Sequence, residues 1–66
     1  MKERPTISPR LYSIKDAGKY LGRSEWSVRH LIWKGHLPFV RIDRRIHLDV
    51  KDMDTLIEQH KETEQN

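Results

Sequence analysis

The 66 residues suffice for one domain; a chain of that size buries only about 60% of its unfolded surface, which leaves no room for a large active-site cleft. There is no cysteine, which excludes disulfides and thiolate metal sites, and no apolar run approaches the roughly 18 residues of a membrane span. The net charge of +3 is divided: residues 1–48 carry eleven Lys/Arg against four Asp/Glu (+7), residues 49–66 two Lys against six Asp/Glu (−4), the asymmetry of a molecule whose one end meets a polyanion.

Residues 1–10, with Pro5 and Pro9 among scattered charges, read as a flexible N-terminal arm. They contain no apolar signal core, so the expected location is cytoplasmic, on nucleoid DNA. Ser13 with Asp16 has capping-box spacing and opens a first helix over about 14–21, with Ile14, Ala17 and Leu21 on one face and Tyr20 at its edge. Gly22 supplies a turn, and only about three residues separate this helix from the next. That is a sharp helix-turn-helix corner rather than a comfortable antiparallel hairpin.

The stretch 22–35, GRSEWSVRHLIWKG, is the most informative in the chain. Ser24 is a good N-cap and Gly35 a good C-terminal stop. Val28, Leu31 and Ile32 recur at i, i+3, i+4 and draw one buried stripe. The opposite side carries Trp26, Arg29, His30 and Trp33, flanked by Ser27 and Lys34. Two tryptophans and an arginine on a wet face need a reason, and in a small basic protein the first candidate is a helix that enters DNA.

Pro38 forbids further helix. Val40 and Ile42, then Ile46 and Leu48, alternate with polar or aromatic residues on either side of Asp43-Arg44. This predicts a two-stranded hairpin with one apolar face and a basic tip; the turn lacks glycine, which leaves its type open. Asp49, with Asp52 three residues on, caps a third helix whose stripe is Val50, Met53, Leu56 and Ile57. It fades near His60, and residues 61–66 read as a frayed acidic tail. The expected domain is therefore 11–60, mainly α with a small β-hairpin: helix, turn, helix, two-stranded wing, helix.

In that order, Tyr12-Ser13-Ile14 leading to Asp16-Ala17, Tyr20-Leu21-Gly22, Ser24, Ser27-Val28, Leu31-Ile32, Gly35, Leu37-Pro38, Val40-Arg41-Ile42 and Arg44-Arg45 resemble the excisionase-type helix-turn-helix domains of the MerR-like winged-helix group. The resemblance spans about residues 11–58. It implies a winged helix-turn-helix, with the second helix in the major groove and the hairpin as a wing on backbone or minor groove. It further implies a recombination directionality factor or a small phage-type transcription regulator. Two positions depart from the family's habit: Arg23, where a small aliphatic is common, and Trp33, where a basic residue is common.

Within that frame the residues take expected roles. Arg23 and Ser24 stand at the amino end of the second helix, where free N–H groups and a cation suit a phosphate. Arg29 is the candidate base reader, through two hydrogen bonds to guanine, and His30 stands beside it. Ser27 is short enough to touch a phosphate; Glu25 reads as a helix-dipole partner. Trp26 and Trp33, two turns apart, offer rings to thymine methyls or sugars, while Trp33 has two further options: packing under the wing or meeting a neighbouring protomer. Arg41, Arg44, Arg45 and His47 belong to the wing, with Arg44-Arg45 suited to a narrow minor groove or flanking phosphates. Lys15, Lys19 and Lys34 are candidate phosphate contacts.

The four histidines, His30, His36, His47 and His60, fall on separate elements without metal-ligand spacing, so no metal or cofactor is expected. No nucleophile–base arrangement or glycine-rich phosphate loop marks an enzyme. The expected partners are double-stranded DNA, a site-specific integrase and neighbouring protomers on DNA, with no membrane. No long heptad helix follows the third helix, which predicts a monomer in solution. A transcription regulator would need the same DNA grip, and a protein-docking role for the Trp26/Trp33 face stays open as a third reading.

Overall fold

The computed structural model describes residues 8–63. The proposed arm at residues 1–7 and the tail end at 64–66 lie outside the described residues. The elements run β1 (Leu11–Ser13), α1 (Ile14–Leu21), α2 (Glu25–Trp33), β2 (Val40–Ile42), β3 (Arg45–Asp49) and α3 (Val50–Gln59). The sheet is antiparallel in the order β1-β3-β2. This is a winged helix-turn-helix in which the expected hairpin gains a third strand from the residues just before α1.

Each helix starts where a polar side chain replaces a missing backbone partner. The Ser13 hydroxyl accepts from the Asp16 amide at 3.1 Å and the Ser24 hydroxyl from the Ser27 amide at 3.1 Å. Asp49 caps α3, but through the Lys51 amide at 3.0 Å, one position short of the Asp52 amide that the capping-box spacing implied. The ends are equally local. Gly22 (φ +71°) ends α1, and Gly35 (φ +78°) ends α2 with the paired bonds Gly35 N–H to Ile32 C=O, 3.0 Å, and His36 N–H to Leu31 C=O, 2.9 Å, a left-handed stop that glycine adopts at no steric cost.

The helix-turn-helix corner is closed by a residue the sequence pattern passes over. The Arg23 amide bonds back to the Gly18 carbonyl at 2.8 Å, and a Cβ on Gly18 would stand 2.6 Å from the Arg23 carbonyl oxygen. Glycine at mid-helix costs helix propensity; here it lets the chain turn onto the helix it has just left.

Ile14 and Ala17 of α1, Val28 of α2, Leu37 from the α2–β2 loop, Leu48 of β3 and Met53 of α3 form the core. Tyr12, Leu21, Leu31, Ile32, Ile46, Val50 and Leu56 pack around it. Ile57, expected in the α3 stripe, sits on the exposed rim. Tyr20 is exposed at the α1 edge, where its hydroxyl donates to Asp54 of α3 at 2.6 Å and ties the two helices across the surface.

The hairpin departs from the expected single apolar face. Asp43 and Arg44 both have positive φ, +49° and +71°, the left-handed pattern of a two-residue type I′ turn. Such a turn pairs Ile42 with Arg45, Arg41 with Ile46 and Val40 with His47. Directly paired residues share a sheet face, so Val40 and Ile42 lie opposite the face of Ile46 and Leu48. Tyr12 pairs with Leu48 and completes the core-facing side, while Leu11, Ser13, Val40, Ile42, Arg45 and His47 lie on the other.

Arg10, the last residue of the expected arm, is held in place. Its carbonyl accepts from the Val50 amide at 2.8 Å, and its guanidinium meets the Asp49 carboxylate through Nη2 at 3.1 Å and Nε at 3.3 Å.

Candidate nucleic-acid interface

The second helix packs on α1 and the core through Val28, Leu31 and Ile32, which fixes the rotation of everything on its other side. Trp26, Arg29, Trp33 and Lys34 are exposed on that side. His30 is half-buried between them: its ring stacks on Trp26, centroids 4.8 Å apart and planes 14° from parallel, and its Nδ1 is shielded from water without a hydrogen-bond partner. Trp33 is 69% exposed, so it does not pack under the wing.

An open groove runs between α2 and the wing tip. Glu25 and Arg29 line it from α2, Arg44 and Arg45 from the hairpin, Lys15 from the first turn of α1, with Ile14 and Ile46 as its apolar floor. Four cations and one carboxylate thus share one concavity. Residues 29, 44 and 45, singled out from separate stretches of sequence, meet here because the two-residue turn carries the β2–β3 tip up beside the α2 amino end. Lys15 is the cation that the pattern undervalued. A lysine in the first turn of a helix opposes the helix dipole, and that local misfit was its signal.

The remaining candidates take different places. Arg23 Nε donates to the Ser27 hydroxyl at 2.6 Å, and Ser27 in turn donates its amide to Ser24, so these three residues form one ordered corner at the start of α2. Arg41 lies on the edge strand with its guanidinium 5.8 Å from the Phe39 ring centroid, a cation–π contact. His47 shares a sheet face with Arg45, away from Ile46 and Leu48; its Nδ1 is buried and unpartnered. It is not among the residues lining the groove.

Chemically, this surface can neutralise phosphates and present hydrogen-bond donors to base edges. Among the described residues no cluster of three His, Asp or Glu side chains could hold a metal ion, and no helix is long and apolar enough to cross a membrane.

The helix-turn-helix domain family model matches residues 11–61, from β1 past the end of α3. No curated protein and no solved structure gives a significant match to the chain. The match covers most of the sequence, and the chain belongs to the helix-turn-helix domain family, a DNA-binding domain.

Proposed function

From that membership we propose that this helix-turn-helix protein is a sequence-specific architectural factor of the excisionase type, in the MerR-like winged-helix group. It binds and bends attachment-site DNA and so directs an integrase toward excision. In this reading α2 enters the major groove and Arg29 reads a guanine. The Arg44-Arg45 tip contacts flanking phosphates or the minor groove, and the Arg23/Ser24/Ser27 corner receives a phosphate at the α2 amino end. The protein needs no chemistry of its own; contacts on both sides of the duplex offset the elastic cost of a bend.

The observation that carries the reading is the groove in which Arg29 faces Arg44, Arg45 and Lys15. A recognition helix and a wing that share one cationic concavity can grip a duplex at two points, which supports a reading in which added contacts offset the cost of a bend. The test is excision of attachment-site DNA by its integrase, with and without the protein. Excision is expected to rise on addition. Unchanged excision together with altered output from a neighbouring promoter would replace this reading with that of a small transcription regulator using the same surface.

A further inference from the structure

Trp26 and Trp33 are 64% and 69% exposed, and the core closes without either ring. They lie seven residues apart on α2, about 10 Å along the helix axis and nearly in line around it. The rise of duplex DNA is about 3.4 Å per base pair along its own axis, and a helix in the major groove runs obliquely to that axis, so the two rings reach base pairs about two to three steps apart. Arg29 lies between them in height. Trp26 is also pre-set: stacking on His30 covers one face of the indole and leaves its other face and edge outward, so little rotamer freedom is lost on contact.

We infer that α2 recognises thymine in the major groove through Trp26 and Trp33, each ring covering a C5-methyl group, the two thymines lying about two to three base pairs apart. The inference rests on the DNA-binding reading above and specifies its target. The occupant of this face must satisfy two chemistries at once, since Arg29, which stands one helical turn from each tryptophan, also lines the groove with Lys15, Arg44 and Arg45. A duplex supplies both. Its phosphates meet the cations, and the thymine methyl is the one apolar group that base pairs present in the major groove.

Duplexes enriched by the protein from a random-sequence pool provide the probe. Each thymine in an enriched site is then replaced by deoxyuridine, which removes the methyl and nothing else, and affinities are measured for wild type, Trp26→Ala and Trp33→Ala. The expected result is a loss of roughly fourfold per contacted methyl in the wild type. One position becomes insensitive in Trp26→Ala and the other in Trp33→Ala. Both rings are exposed and outside the core, so the variants should keep the wild-type urea midpoint. Deoxyuridine without effect, or an effect that persists unchanged in both variants, overturns the inference. So does wild-type sequence preference in both variants, which takes the rings out of base recognition and leaves DNA binding intact. Failure to enrich any duplex removes the DNA-binding reading itself and the inference with it.

Discussion

Arg29 and Arg44 line the same groove, yet they stand on different supports and should fail differently. Arg29 rises from a helix whose rotation is fixed by Val28 in the core and by Leu31 and Ile32 packed against it, so its guanidinium reaches a defined base edge. Arg44 sits on a turn tip and meets phosphate. Arg29→Ala should therefore relax the choice of base at one position, at about 1–3 kcal/mol of discrimination. Arg44→Ala should weaken all sequences alike. Gel-shift titrations over a panel of single-base variants separate the two, and no loss for either change removes the proposed interface. A second residue-scale effect concerns folding. The Arg10 guanidinium, and after it the Lys51 amide, hold the Asp49 carboxyl below its ordinary range. The folded state thus favours the carboxylate. Its contribution is present above the unfolded value of about 3.9 and is lost as pH falls through the lower folded value. Asp49→Asn keeps a capping side chain and removes the ionisation. Urea midpoints should show wild type above the variant at pH 6, with the gap closing toward pH 2; a gap independent of pH contradicts the ion-pair account.

At the scale of elements, the wing turn stores a conflict between stability and binding. Asp43 and Arg44 both adopt left-handed backbone, which costs a non-glycine residue about 1–2 kcal/mol. Arg44→Gly should therefore raise stability by about 1 kcal/mol in urea denaturation while lowering affinity for every duplex. A variant that lost stability would mean the arginine side chain holds the hairpin. The same turn explains what was legible in the sequence and what was not. The three helices and their caps follow from Ser13, Ser24, Asp49, Gly22 and Gly35, because these signals act within one turn of helix. Asp43-Arg44 marked the turn, with its type left open; the expectation of one apolar face failed because a two-residue turn pairs Ile42 with Arg45, and one residue of register decides which face Val40 and Ile42 occupy. Strand β1 has only three residues and no period to detect; its partner Leu48 lies far along the chain. Gly18 carried no signal in the pattern, because the reason for it, the approach of the Arg23 carbonyl, is tertiary. The groove cations were identifiable by residue type, but their meeting depends on where the hairpin tip lands.

For the whole molecule, the division of charge predicts how binding responds to salt. The +7 of residues 1–48 includes all four groove cations, while α3 and the residues after it carry the acidic excess on a separate element. A duplex in the groove therefore meets Lys15, Arg29, Arg44 and Arg45. If Lys15, Arg44 and Arg45 meet phosphates, with Arg23 at the α2 corner as a fourth cation and Arg29 kept for a base, the logarithm of the binding constant should fall with the logarithm of salt at a slope of about −3.6, roughly a hundredfold between 50 and 200 mM. Arg44→Ala should make that slope shallower by about one. Removing acidic charge from α3 by Glu58→Gln should leave the slope unchanged, since that side chain pairs with Lys61 at 2.8 Å and does not line the groove. Fluorescence anisotropy on a labelled duplex across a salt series reads both. A slope near zero for wild type would mean that the cations of the groove do not meet phosphate, whereas a steepening in Glu58→Gln as large as the loss in Arg44→Ala would place the duplex on the wrong side of the molecule.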